Sequence, residues 1–268
     1  MICFPNAKIN LGLNVVGCRA DGFHDIETVF YPIPLREALE IVPADAFSFT
    51  QTGIPVDAPT EKNLAVKAYR LFAETYPLPP LAVYLRKAIP FGAGLGGGSA
   101  DAAFMLKLLN DFTGQGLDVE KLETLAARLG ADCPFFIRNH PVFASGTGNV
   151  FEPVELNLSG LYLVLVKPDL AVSTAQAYAE LKPKAPALSL KAIIRRPLEE
   201  WREWMGNDFE ATVFRRFPAI AAIKEKLYEE GALYASMSGS GSSVFGLFKQ
   251  AARLEDKFPT CFCRCLSL

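Results

Sequence analysis

The sequence predicts an α+β fold in two domains, and three observations carry that expectation. Strand and helix patterns are mixed without the regular alternation that a parallel α/β sheet requires. The hydrophobic share is 50 % and the charged share 21 % over 268 residues, which is enough to bury a sizeable core. Over residues 150–160 the composition turns to Glu-Pro, Asn and Ser-Gly before a new apolar run begins at Leu161. That change puts a boundary between a domain over 1–155 and one over 156–268.

Residues 7–16 (AKINLGLNVV) and much of 26–42 alternate in character and read as strands, joined by a polar loop at Arg19 to His24. Residues 62–75 repeat apolar positions at helical spacing and stop before Pro77, Pro79 and Pro80. Leu81 to Ile89 is an apolar strand, and Ala102, Met105, Leu106, Leu109 and Phe112 mark the helix that follows it. Residues 118–129 form another helix, closed by Gly130, and Ala131 to Phe136 is a polar turn with the character of a helix start. In the second domain Leu161 opens a strand, and Ser173 to Gln176 is a capping box for a helix through Leu181. A loop over 183–186 follows, then helices over 207–216 and 218–230, the second with Pro218 at its start and Gly231 at its end. A strand over 232–237 then runs through Ser238 to Ser243 into another over 244–248.

The 27 basic and 29 acidic residues leave a net charge of −2, so no nucleic-acid partner is expected. No run of about eighteen uninterrupted apolar residues is present, and Asn6 and Lys8 break the first residues. Neither a membrane span nor a secretory signal is expected, and the chain reads as cytoplasmic. The six cysteines are most simply free thiols. Cys261, Cys263 and Cys265 could form a metal cluster, but alternation puts them on one face of a terminal strand, and tetrahedral zinc sites usually start with a wider step. No metal is expected there, and with His24 and His140 the only histidines, a histidine-rich metal site is excluded.

The densest signal is Pro90-Phe91-Gly92-Ala93-Gly94-Leu95-Gly96-Gly97-Gly98-Ser99-Ala100, set between a strand and a helix. Glycine lets several N–H groups converge on an anion, and the following helix points its positive end at the same place. The segment therefore reads as a phosphate cradle, against the plainer reading of a tight connection. Gly92, Gly94 and Gly97 also satisfy the dinucleotide pattern. A second parallel strand ending in an acid should then follow the helix, whereas 118–129 is again helical. The Walker pattern fails because Gly98-Ser99 stands where Gly-Lys-Ser/Thr is required.

Three ordered segments resemble the signatures of the GHMP small-molecule kinases, which include galactokinase, homoserine kinase, mevalonate kinase and phosphomevalonate kinase. They are A-K-I-N-L at Ala7 to Leu11, P-x-G-x-G-L-G-G-G-S at Pro90 to Ser99, and S-G-S-G-S-S at Ser238 to Ser243. Gly17 to His24 (G-x-R-x-D-G-F-H) and Leu129 to Pro134 (L-G-A-D-C-P) resemble the branch that acts on cytidine diphosphate methylerythritol in non-mevalonate isoprenoid precursor synthesis. The resemblance implies a two-domain fold with its active site between the domains, and ATP-dependent phosphorylation of the acceptor's 2-hydroxyl. It also implies ATP and Mg2+ as cofactors and a monomer or homodimer.

By the same resemblance Asp132 matches the family's catalytic base and Lys8 its partner lysine, both suited to a reaction in which the protein mainly positions groups and neutralises charge. Asn10, Phe23, His24, Thr174 and Tyr178 match substrate positions, with the rings of Phe23 and Tyr178 placed to sandwich the cytosine. Asn63, Leu64, Lys87 and the loop Pro90 to Ala100 match the nucleotide site. On residue type alone Asp132 reads as a helix cap, Lys8 as a solvated charge, Asn10 as a strand-edge polar residue and Tyr178 as a core ring. Ser99 is the only side chain offered for magnesium. Phe23 stands where tyrosine is common, Ala93 and Ala100 where glycine and serine are frequent, and the cysteine tail has no family role. A family kinase for another alcohol, such as homoserine or mevalonate, is the nearest alternative. A nicotinamide oxidoreductase and a catalytically silent nucleotide binder stand further off.

Overall fold

The computed structural model describes residues 1–56, 59–178, 181 and 183–268. In chain order the strands are β1 (Ile2–Cys3), β2 (Asn6–Cys18), β3 (His24–Arg36), β4 (Ala38–Pro43), β5 (Ser48–Gly53), β6 (Leu81–Lys87), β7 (Val142–Ser145), β8 (Val150–Pro153), β9 (Tyr162–Pro168), β10 (Tyr234–Met237), β11 (Val244–Phe248) and β12 (Cys261–Ser267). The helices are α1 (Leu64–Thr75), α2 (Gly97–Thr113), α3 (Val119–Ala127), α4 (Phe135–Arg138), α5 (Thr174–Tyr178), α6 (Leu190–Ile193), α7 (Trp201–Trp204), α8 (Phe209–Arg216) and α9 (Pro218–Glu229).

Two compact units interleave along the chain. The first takes Met1–Ala7, Leu35–Phe91 and Gly96–His140, and the second Lys8–Pro34, Gly92–Leu95 and Pro141–Leu268. The single boundary expected after residue 155 is therefore not where the units part. The reason is pairing: β2 and β3 join β7 and β8 in one sheet, in the order β2-β3-β7-β8, so early strands belong with the C-terminal half.

The first unit is a sheet in the order β1-β4-β6-β5 with helices against it. Val66, Ala68, Leu71 and Phe72 of α1 and Met105, Leu106 and Leu109 of α2 recur at helical spacing and are buried, as are Leu39, Ile41, Val83 and Leu85 of the sheet. β6 sits between antiparallel β4 and parallel β5, so its two faces are Leu81, Val83 and Leu85 inward against Tyr84 and Arg86 outward. β5 has no apolar run: Phe49 and Gln51 alone are half-buried in it, and its pairing comes from the edge of β6.

The second unit adds an antiparallel sheet in the order β10-β11-β9-β12. Its core joins Val164, Val166, Phe209, Val213, Ile220, Leu227 and Val244. The cysteine tail is a strand as expected: Cys263 lies in that core with Cys261 and Cys265 packed against it. Burial pushes the Cys263 thiol up to about 12, which keeps it protonated and a poor metal ligand. No group of three or more His, Cys, Asp or Glu suited to a metal occurs among the described residues. The Ser173 capping box forms, with Gln176 N–H donating to Ser173 Oγ at 3.2 Å and Ser173 N–H to Gln176 Oε1 at 3.1 Å. Continuation of that helix over 179–180 lies outside the described residues. Among the described residues no helix is long and apolar enough to cross a membrane.

Candidate active site

β6 delivers the chain to Pro90 and α2 takes it away at Gly97, so residues 90–96 are the turn between them. Gly92, Gly94 and Gly96 have φ of 61°, 74° and 70°, a region that side chains strain to enter. Gly94 is doubly constrained, because a Cβ there would collide with the Ser238 carbonyl oxygen. Three successive carbonyls of this loop are anchored. Ser243 N–H donates to Ala93 O at 3.3 Å, Ser238 Oγ to Gly94 O at 2.8 Å and Lys8 N–H to Leu95 O at 3.0 Å. In a trans peptide the N–H points opposite to the C=O. Anchoring these carbonyls therefore turns the N–H groups of Gly94, Leu95 and Gly96 the other way, as an anion-binding nest requires.

The side chains of the loop divide by the same logic. Ala93, Leu95 and Ala100 are buried and hold the loop in place, so the hydroxyl missing at Ala100 would have faced the interior. Phe91 is 67 % exposed. Gly97 is needed for packing, since a Cβ there would lie 3.0 Å from Ile89 Cγ2. Gly98 is different: a Cβ would meet only Leu64 Cδ1, at an ordinary 3.6 Å, and nothing in the fold requires glycine there. Leu64 thus lies at the start of α2. Asn63 caps α1, accepting from Ala65 N–H at 2.9 Å, and donates to Gln51 Oε1 at 3.2 Å. Its amide is thereby fixed in one orientation by Gln51, a partner the sequence did not suggest.

In the first unit, Asp132 lies in the turn between Gly130 and Pro134, closed by Cys133 N–H to Gly130 O at 3.1 Å. It does not cap a helix, because α4 starts at Phe135 with Pro134 before it and no side-chain cap. Cys133, the next residue, is buried and hydrogen-bonded to the Ser99 side chain; burial pushes its thiol up to about 11. The Asp132 turn and the start of α2 are joined through that pair.

Lys87 is not a surface cation. Its Nζ is 2.5 Å from Glu37 Oε2 and 2.7 Å from Asp101 Oδ2, with side-chain exposures of 5 %, 0 % and 2 %. Burial alone would lower its pKa, but Asp101 and Glu37 hold it above its ordinary value. Asp101 is pushed well above its ordinary value, by burial first and then by the neighbouring Glu37, against the pull of Lys87. Lys87, Glu37 and Asp101 form one buried charge group. Removing one partner from such a buried set typically costs about 3–5 kcal/mol.

In the second unit Lys8 is 4 % exposed, its Nζ 2.6 Å from Asn10 Oδ1 and 4.7 Å from the centre of the Phe30 ring. Asn10 is buried too, donating from Nδ2 to Thr28 Oγ1 at 3.0 Å, while Thr28 donates to Gly12 O at 2.6 Å. Neither is the solvated charge or strand-edge group that residue type alone suggests. Asn10 aims Lys8. The loop Ser238 to Ser243 is stapled by Asn207, whose Nδ2 donates to Met237 O and Gly239 O, both at 2.8 Å. Glu210 accepts from Met237 N–H at 2.8 Å. Asn207 and Glu210 lie in the N-D-F-E segment, where an acid and an amide so close to an apolar helix start were the available signal.

Phe23 is 64 % exposed, on a tight polar loop in which Asp21 Oδ1 accepts its N–H at 3.1 Å and Arg19 pairs with Asp21 and Asp25. Tyr178 stacks on His24, with ring centres 4.5 Å apart and planes at 22°, and meets Phe209 edge-on at 4.7 Å. One of its faces is thereby occupied by His24. Thr174 is exposed at the start of α5.

The second unit thus holds a buried lysine fixed by an asparagine, and the first holds an aspartate in a turn joined to the start of α2; each is a residue type that phosphoryl transfer uses. Residues 63–140 match the model of the GHMP kinases N terminal domain, and residues 189–263 that of GHMP kinases C terminal. A relative from Parabacteroides distasonis named 4-diphosphocytidyl-2-C-methyl-D-erythritol kinase is 65 % identical over 264 residues, 98 % of this chain and 97 % of the relative. One of the same name from Bacteroides fragilis is 57 % identical over 268 residues, 98 % of each. The crystal structure of a 4-(cytidine 5'-diphospho)-2C-methyl-D-erythritol kinase superposes with a TM-score of 0.84 at 32 % identity, covering 100 % of both chains. The chain belongs to the GHMP kinase family, in the branch of the 4-diphosphocytidyl-2-C-methyl-D-erythritol kinases. Its membership implies the use of ATP.

Gly98→Ala separates fold from ligand. Alanine favours the helix by about 1 kcal/mol over glycine, so the melting temperature should hold or rise. On the expectation that the first turn of α2 borders the nucleotide phosphates, the KM for ATP should rise tenfold or more, measured by steady-state kinetics beside a thermal melt.

Proposed function

We propose that this chain transfers the γ-phosphoryl group of ATP to the 2-hydroxyl of 4-diphosphocytidyl-2-C-methyl-D-erythritol, giving the 2-phosphate and ADP, as a cytoplasmic enzyme of isoprenoid precursor synthesis. The observation that carries the reading is the loop with three anchored carbonyls, in a chain whose relatives bear that kinase name. The exposed ring of Phe23 supports the choice of acceptor, because homoserine and mevalonate offer no base to stack on it.

In this reading Asp132 accepts the proton of the 2-hydroxyl as its oxygen bonds to the γ-phosphorus and the bond to ADP breaks. Lys8, held by Asn10 Oδ1 and the Phe30 face, keeps a fixed positive charge that favours the developing alkoxide and the transferring group. A preorganised lysine does not have to reorient during transfer, which is the value of its buried asparagine partner. The nest N–H groups take the phosphates, and Asn63 and Leu64 border the adenosine. The cytosine rests on Phe23 beside the stacked pair His24 and Tyr178, with Thr174 at the rim.

The described residues offer magnesium no carboxylate cage, which suits an ion that keeps its waters and binds chiefly to nucleotide phosphates. The Ser99 hydroxyl, at the start of α2, is the protein group we assign beside it. Bound there, the ion neutralises phosphate charge.

Coupled ADP-release assays with the cytidine alcohol, homoserine and mevalonate test the reading. Magnesium-dependent turnover is expected with the first alone, and comparable turnover with homoserine would overturn the acceptor assignment. Asp132→Asn leaves the turn's backbone hydrogen bond in place and should lower kcat by about 10²–10⁴ with an unchanged melt; near-normal turnover would show that Asp132 is not the base.

Stacking is worth about 1–3 kcal/mol per base by alanine substitution. Phe23→Ala should therefore raise the dissociation constant of the cytidine substrate roughly ten- to a hundredfold, read by calorimetry, and leave ATP affinity alone. Loss of ATP affinity instead would mean that this loop faces the nucleotide.

A further inference from the structure

Glu37 follows β3, Lys87 ends β6 and Asp101 lies in α2, so three separate elements meet in one buried charge group. The group sits at the two ends of the phosphate loop. Glu37 Oε1 accepts the N–H of Ala88 at 3.1 Å and of Ile89 at 2.8 Å, the last two residues before Pro90. Its other oxygen is held by Lys87 Nζ, which reaches Asp101 Oδ2 on the helix that leaves the loop. The missing side chain of Gly97 lets these ends close on each other, since a Cβ there would lie 3.0 Å from Ile89 Cγ2 and 3.6 Å from Lys87 Nζ. Asp101 Oδ1 is buried without a hydrogen-bond partner, so the third member is retained at a cost that packing alone does not explain.

We propose that Lys87, Glu37 and Asp101 form a positioning group that fixes the spacing of the two ends of the phosphate loop. The Lys87 ammonium acts on the nucleotide through that loop and not by charge contact with it. The inference rests on the nucleotide reading of the loop. It assigns roles to Glu37 and Asp101, and it changes the role expected of Lys87 from a nucleotide contact to a support beneath the nest. The backbone N–H groups of Ala88 and Ile89 are the link: Glu37 Oε1 accepts both, and Lys87 compensates the buried charge of the carboxylate that holds them.

Three variants separate support from contact, read as affinity for a fluorescent ATP analogue without acceptor, together with a thermal melt and acceptor affinity. Lys87→Met leaves the Glu37 charge buried and should weaken nucleotide affinity about tenfold or more, with acceptor affinity unchanged. Asp101→Asn keeps an acceptor oxygen for Lys87 Nζ and should weaken nucleotide affinity less than Lys87→Met does; a larger loss would count against the proposal. The double variant Lys87→Met with Glu37→Gln removes both charges, yet its amide oxygen still accepts from Ala88 and Ile89, so most of the affinity should return. A folded double variant as weak as Lys87→Met overturns the proposal in favour of direct charge contact. Should Lys87→Met fail to fold, the double variant carries the comparison with the parent protein.

Hydrogen exchange in the parent protein needs no variant. The amides of Ala88 and Ile89 should exchange as slowly as core amides without nucleotide. Fast exchange that slows only when nucleotide binds would show that the ligand, not the group, sets the loop ends, and would equally overturn the proposal. Parent protein that binds no ATP analogue would instead defeat the nucleotide reading beneath it.

Discussion

Anchoring of three consecutive carbonyls is the constraint on which the candidate site depends. A glycine-rich loop is free to adopt many shapes, and that freedom opposes binding because the chain must be ordered at the moment the ligand arrives. Here Ala93, Gly94 and Leu95 spend their carbonyls on Ser243, Ser238 and Lys8. Order is therefore established during folding, and the N–H groups are aimed before any phosphate is present. Gly94 can hold its place because it lacks the atom that would strike Ser238. The two glycine-serine segments are thus one device, the second serving as the mould of the first.

The same economy runs through the polar residues around the loop. Asn63, Asn10 and Ser238 could each be taken for ligand contacts by type, yet their hydrogen bonds go to Ala65 and Gln51, to Lys8 and Thr28, and to Gly94. Those bonds fix the orientation of the three side chains. A lysine on a flexible four-carbon stem loses much of its freedom on being ordered, and a buried asparagine oxygen with an aromatic face removes most of that freedom in advance. Among the large apolar side chains of these loops, Phe91 and Phe23 face outward.

What could be read from the sequence was local. The glycine run, the Ser173 capping box, the proline start of α9 and the one-sided cysteine strand depend on neighbours within a turn or a pleat, and each stands in the structure where it was expected. Two kinds of feature escaped. Strand β5 has no hydrophobic period of its own and owes its pairing to β6. The buried acids Glu37, Asp101 and Glu210 find partners in distant segments, and an isolated acid in a sequence resembles a solvated one. Interleaving of the units was hidden for the same reason, because β3 finds its sheet partner β7 more than a hundred residues onward and carries β2 with it. Tyr178 was placed on the right helix, but its stacking on His24 depends on that helix meeting the Arg19 to His24 loop.

Residue-resolved hydrogen exchange at Gly94, Leu95 and Gly96, with and without a non-hydrolysable ATP analogue, tests the nest most directly. Selective slowing of these three amides at saturating analogue is the predicted result. Unchanged exchange at all three, with binding shown independently to be complete, would contradict it.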